Sequence, residues 1–188
     1  VERLGDGLDF VGVPTSEQTA ARATLLGIPL TSLDAVDGLD LTIDGADEVD
    51  PKLDLIKGGG GALTREKIVA AASTRLVIVV DEDKLVPRLG STFRLPIELL
   101  EFGSRATLRR IAALGLTPEL RLDGDGRPFR TDSGQLIADA ELPGDLELTQ
   151  LEAELDRLPG VVECGLFLGM ADRVYVGGAN GDVRTLDA

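Results

Sequence analysis

The stretch "RLVIVVDEDK" carries five consecutive apolar residues, Leu76 to Val80, and stops abruptly at Asp81. A short apolar run without alternation, bounded by charge, reads as a strand buried on both faces, the condition of a parallel sheet. Shorter runs of the same kind, "LDFVGV", "LDLTI" and "LDLI", alternate with the helical patterns "SEQTAARATLLG" and "TREKIVAAAS". Ser16 before Glu17 marks a helix start, and Gly27 ahead of Ile28 and Pro29 marks its end. Strands and helices in alternation predict an α/β fold on a mostly parallel sheet.

From about Leu95 the texture changes. "RLPIELL" is followed by a helix around "SRATLRRIAAL" closed by Gly115, a strand "TPELRL" and the turn "DGDGR". A hairpin about Asp132, Ser133 and Gly134, a helix "LTQLEAELDRLP" and a strand "VVECGLFL" complete the series. The order strand, helix, strand, strand, helix, strand is the split βαβ pattern. Residues 95–168 are therefore expected to form a small α+β domain inserted into a main domain of residues 1–94 and 169–188, with "DRVYVGG" and "DVRTL" returning to the main sheet. No internal repeat or low-complexity segment is present.

Charge narrows the partners. A net charge of −14 argues against nucleic acid and anionic membrane as main partners, since both require a basic face. No apolar run reaches the length of a membrane span, and no secretory signal is visible after Val1. The one cysteine, Cys164, lies in an apolar run, where a buried, inert thiol is expected. These features suit a reducing cytoplasm. Lysine occurs only at 52, 57, 67 and 84, against fifteen arginines, and an acidic, lysine-poor surface suits a salty one.

Polar clusters follow the predicted strands: Thr15 and Ser16; Asp44 to Asp47; Lys57 to Gly61; Asp81 to Lys84. If the strands are parallel, all four emerge at one carboxyl edge, where open α/β sheets bind ligands. The run "KGGGG" directly precedes a helix. Its bare amides can form an anion-binding concavity helped by the helix dipole and by Lys57 or Lys84, or the run is simply a flexible connection. It lacks the lysine and hydroxyl residue of a P-loop, and the third glycine of a dinucleotide fingerprint is Leu63, so neither motif is matched.

"DGADEVD" gathers Asp44, Asp47, Glu48 and Asp50. Its readings are a solvated acidic turn, a set of oxygens for sugar hydroxyls, or a hard-metal site, although the calcium-loop pattern fails at Ala46. With no histidine in the chain, acid–base work near neutral pH falls to a carboxylate, or less readily to Lys, Cys164 or Tyr175. Glu66 stands in the first turn of the helix after the glycines. It is either an ordinary glutamate favoured by the dipole or a base that removes the proton α to a sugar carbonyl.

At these residues the chain resembles type A ribose-5-phosphate isomerases. The likeness rests on "DGADEVD", on "KGGGGALTREK" thirteen residues beyond Asp44 and on "DEDK" ending at Lys84, with lighter matches at "GVPTSEQTA" and "LPGVVECGLF". It implies a Rossmann-like α/β domain with an inserted ferredoxin-like α+β domain, and interconversion of ribose 5-phosphate and ribulose 5-phosphate through an enediolate without metal or cofactor. By position it implies Glu66 as the proton-shuttling base, Lys57 with its neighbouring amides as stabiliser of the oxyanion, and Asp44 and Asp47 on sugar hydroxyls. Gly45, Ala46, Gly58, Gly59, Gly60 and Lys84 would contact the substrate. A homodimer or homotetramer is implied as well. The family's opening strand and glycine, threonine and serine-rich phosphate loop have no match here. "VERLGDGLDF" reads as the end of the first helix, so the chain is expected to lack that strand and loop. The competing readings are a non-catalytic sugar-phosphate sensor of the same fold and a metal-dependent phosphatase using the Asp44 cluster.

Overall fold

The computed structural model describes residues 10–144 and 146–188. The reading of residues 1–9 as a helix end lies outside this range.

The main sheet has the strand order β1 (Thr42–Asp44), β4 (Leu76–Asp81), β10 (Arg173–Gly177), β11 (Val183–Asp187). β1 and β10 both run parallel to β4, and β11 closes the sheet as an antiparallel edge. Helix α1 (Glu17–Leu25) starts where expected, with Ser16 Oγ accepting from Thr19 N at 3.0 Å, and Gly27 follows its end at φ 70°. Helix α2 (Leu63–Ala71) connects the glycine run to β4. Leu76, Ile78, Val80, Val174 and Val176 are buried in one cluster with Ala70 and Phe167. The other face is less covered: Ile43 and Val79 are 66% and 52% exposed.

Two expectations need correction. "FVGV" forms no extended strand; it contributes one parallel bridge, Gly12 to Leu30. "LDLI" does not join the parallel sheet either. Its β3 (Leu55–Ile56) pairs antiparallel with β2 (Glu48–Val49) and with β9 (Leu166–Phe167) in a separate three-stranded sheet. The cause is local: β2 and β3 are joined by a tight turn in which Asp50 accepts from Lys52 N and Asp54 N, and so short a connection permits only antiparallel pairing. Of the four polar clusters, those after β1 and β4 therefore share the carboxyl edge of the main sheet, and Lys57 reaches it from another sheet.

A third sheet has the order β6 (Thr117–Leu120), β7 (Leu136–Glu141), β5 (Leu95–Leu99), β8 (Val161–Cys164), antiparallel throughout. Helices α3 (Ser104–Ala113) and α4 (Leu148–Asp156) pack on it through Ile111, Leu151 and Leu155 around Leu95 and Ile97. "VVECGLFL" is divided at Gly165: β8 belongs to this sheet and β9 to the three-stranded one. A Cβ at Gly165 would lie 2.2 Å from Lys57 O, so only glycine allows the chain to pass there. The sheets also share a core, since Ile56 and Leu166 pack with Leu95, Ile97 and Cys164.

Candidate active site

Asp44 ends β1, and the peptide beyond it turns back so that Gly45 N donates to Asp44 Oδ1 at 2.8 Å. Asp47 is fixed by its backbone, whose N–H donates to Ile56 O at 2.8 Å. Lys57 follows β3, its N–H bound to Gly165 O at 2.9 Å and its ammonium 5.5 Å from the centre of the Phe167 ring. The glycine run then makes a tight turn, Gly61 N to Gly58 O at 3.0 Å, before α2 begins. Gly58 and Gly61 have φ of 111° and 81°, where a side chain is strained. At Gly59 the constraint is space, because a Cβ would come 2.5 Å from Asp47 Oδ1. Three of the four glycines are thus required by a defined hydrogen-bonded turn, which is not a loose connection.

These segments enclose a cleft of about 190 Å³ lined by Asp44, Gly45, Ala46, Asp47, Lys57, Gly58, Gly59, Gly60 and Glu66. They are nine of the ten residues singled out in the sequence. Lys84, the tenth, is half-buried on the short 3-10 turn after β4 and is not among the lining residues.

The Lys57 ammonium is the hub. It donates to Gly45 O at 2.6 Å and lies 2.9 Å from Asp44 Oδ2 and 3.2 Å from Glu66 Oε2. Asp47 Oδ2 accepts from Gly59 N at 2.7 Å. Glu66 Oε2 is buried and, although within ion-pair distance of Lys57, accepts no hydrogen bond among the described residues. Burial pushes the Glu66 carboxyl above the ordinary glutamate value of 4.5; the Lys57 charge opposes this, and the Asp44 and Asp47 charges add to it. A largely buried carboxylate with a raised proton affinity, 3.2 Å from a fixed ammonium, is equipped to take a proton next to a carbonyl whose oxygen the ammonium polarises.

The remaining acidic residues of "DGADEVD" are structural. Glu48 is fully buried and turned away, accepting from Gly90 N (2.5 Å), Thr92 N (2.5 Å), Thr92 Oγ1 (2.7 Å) and Phe93 N (2.7 Å). Asp50 holds the β2–β3 turn. A group with metal-ligand atoms within 4.8 Å of one another, Asp156, Glu163 and Cys164, lies outside the cleft. There the Lys67 ammonium already sits 2.7 Å from Glu163, and burial pushes the Cys164 thiol up to about 12, away from the thiolate that binds metal. Sequence reasoning missed Phe167 beneath Lys57 and also Arg121, which holds the glycine turn from behind. Arg121 is more than sixty residues from that turn, and no local pattern joins them.

Fold and cleft together define an α/β protein whose candidate site is a histidine-free cleft of carboxylates, a lysine and glycine amides. The chain matches the family Ribose 5-phosphate isomerase A (phosphoriboisomerase A) over residues 11–181. It is 56% identical over 182 residues to the ribose-5-phosphate isomerase A of Chloroflexus aurantiacus, covering 96% of this chain and 76% of that one. To the enzyme of that name from Rhodopseudomonas palustris it is 54% identical over 192 residues, covering 99% and 82%. Among solved structures, a D-ribose-5-phosphate isomerase in complex with phospho-erythronic acid superposes with a TM-score of 0.94 at 42% identity, covering 100% of this chain and 82% of that one. The ribose 5-phosphate isomerase A of Methanocaldococcus jannaschii gives 0.93 at 39%, covering 100% and 82%. The chain belongs to the ribose 5-phosphate isomerase A family.

Proposed function

We propose that the protein interconverts ribose 5-phosphate and ribulose 5-phosphate, with Glu66 as the base that moves the proton between C2 and C1. In the aldose-to-ketose direction Glu66 takes the C2 proton of the open-chain sugar, and the electron pair passes to the carbonyl oxygen at C1. The O2–H proton passes to O1, and as Glu66 returns its proton to C1 the electron pair on O2 forms the C2 carbonyl of the ketose. Lys57 stabilises the developing oxyanion, as do the amides of the glycine turn. Asp44 and Asp47 hold sugar hydroxyls, with Gly45 and Ala46 shaping the floor around them. Lys84 follows β4, the neighbour of β1, so it stands on the same sheet edge as Asp44 and is the candidate for contact with the phosphate-bearing end.

The observation that carries this reading is the Lys57 ammonium set between Asp44 at 2.9 Å and Glu66 at 3.2 Å in one cleft. It is tested by conversion of ribose 5-phosphate with and without chelator, for the unmodified protein and for Glu66→Gln. Activity should survive chelation and fall by about three orders of magnitude or more in the variant, while sugar-phosphate binding persists. Loss with chelator would favour a metal-dependent phosphatase. Binding without turnover in the unmodified protein would favour a sensor. Among the described residues no helix is long and apolar enough to cross a membrane. Sedimentation of the same preparation tests the homodimer or homotetramer implied by the resemblance.

A further inference from the structure

Arg121 stands just after β6, outside the cleft lining, yet its guanidinium grips the glycine turn. Nη1 donates to both Gly58 O (2.9 Å) and Gly59 O (3.0 Å). The rest of the fork is occupied by Asp139 on β7, with Nε to Oδ2 at 2.8 Å and Nη2 to Oδ1 at 2.5 Å. Asp139 is a diagonal neighbour across the β6–β7 pair, so the two side chains share one face of the sheet. The guanidinium also lies 5.7 Å from the centre of the Phe129 ring, and that ring fills the space into which a Cβ on Gly61 would project, at 2.6 Å. Both side chains of the ion pair are largely buried, at 14% and 22% exposure.

The direction of this grip has a consequence for the cleft. In a trans peptide the C=O and N–H of one unit point opposite ways. With Gly58 O turned to Arg121, Gly59 N–H faces away from it, and it does donate to the cleft residue Asp47 at 2.7 Å. With Gly59 O turned to the same Nη1, Gly60 N–H must also face away. Gly60 lines the cleft, and its amide has no acceptor among the described residues. Two successive amides aimed to one side form an anion-binding concavity, in which Asp47 already occupies the first amide and leaves the second open.

We propose that Arg121, locked by Asp139, is a positioning residue that aims the Gly60 amide at the oxyanion of the reaction and holds the Gly59 amide on Asp47. The inference rests on the isomerase reading above. Arg121 lies outside the cleft lining; its contribution is to keep the two peptides from rotating, which would withdraw the Gly60 donor needed more by the enediolate than by the bound sugar and would release Asp47. A lysine cannot replace the fork, since one ammonium cannot serve both carbonyls and a bidentate carboxylate.

The test compares Arg121→Ala, Arg121→Lys and Asp139→Asn with the unmodified chain. In Arg121→Ala, kcat should fall by about 10- to 100-fold while KM for ribose 5-phosphate stays within about threefold. Affinity for phospho-erythronic acid, whose carboxylate mimics the oxyanion, should fall along with kcat. Arg121→Lys should not recover the loss, whereas added methylguanidine should recover part of it in Arg121→Ala. Asp139→Asn, which keeps the shape of the side chain, should lose about three- to tenfold in kcat and serves if the alanine variant does not fold. Amide exchange at Gly59 and Gly61 reads the clamp without catalysis and should quicken by about tenfold or more in the variants. Folded variants with kcat and inhibitor affinity within twofold of the unmodified protein, or with unchanged exchange at these amides, would overturn the proposal. An unmodified protein that leaves ribose 5-phosphate unconverted would overturn the functional reading instead, and exchange at the glycine turn would still decide whether Arg121 is a clamp.

Discussion

Glu66 and Glu48 lie on two sides of the same loop system and differ in what surrounds them. Glu66 is largely buried with the Lys57 ammonium 3.2 Å away, and burial raises its proton affinity against the opposing Lys57 charge. Because its folded pKa is raised above the ordinary glutamate value, the folded state holds the proton more tightly than the unfolded chain. That contribution is complete below the unfolded pKa and is lost as pH rises through the folded one. Glu66→Gln should therefore melt higher than the unmodified protein at about pH 8, with the difference vanishing by about pH 4. Calorimetry across that range checks the sign, and a variant that melts lower at the alkaline end contradicts it. For the same reason the acidic limb of kcat/KM should lie above 4.5 and vanish in the variant. Glu48 instead satisfies three backbone amides and a hydroxyl. Glu48→Ala would leave those amides buried and unpaired, at a cost of roughly 3 kcal/mol or more in urea unfolding. "DGADEVD" shows four carboxylates but not which way each points. That two of them face a cleft depends on Lys57 and Gly59, and that a third seals a loop depends on pairing with residues some forty positions away.

At the scale of elements, the glycine turn and α2 form one device. Three of the glycines are fixed by a positive φ or by a neighbouring atom, but at Gly60 a Cβ would meet nothing within 4 Å. Gly61→Ala should accordingly destabilise by about 1 to 3 kcal/mol, from backbone strain and collision with the Phe129 ring. Gly60→Ala should stay within about 1 kcal/mol. Equal melting of the two variants would show that the turn is not so constrained. The helix periodicity of α1, α2, α3 and α4 was legible in the sequence, as were the glycine turn, Lys57 and Glu66, because spacing and capping are local properties. The two-residue strands β2, β3 and β9 were not. Their apolar letters resemble those of a parallel strand, and only the tight turn at Asp50 and the break at Gly165 assign them to a separate sheet.

For the molecule as a whole, 33 acidic residues against 19 basic ones leave a surplus that surface ion pairs do not absorb. Arg94 with Glu119 and Glu141, and Arg130 with Glu101, are exposed pairs of small individual worth. Self-repulsion of the surplus is long-ranged, so screening should relieve it: the melting temperature should rise by several degrees between about 20 mM and 1 M sodium chloride. A flat response would assign the acidic surface to solubility alone. The α/β class was legible because apolar runs report burial, whereas the way the three sheets join depends on contacts between residues far apart in the chain. Gly165 concentrates that joining in one peptide, with Lys57 bonded on one side and the strand carrying Phe167 on the other. Deleting residues 95–168 to leave a minimal parallel scaffold would remove both supports of the lysine, and recombination with a distant homologue at either seam would mismatch them.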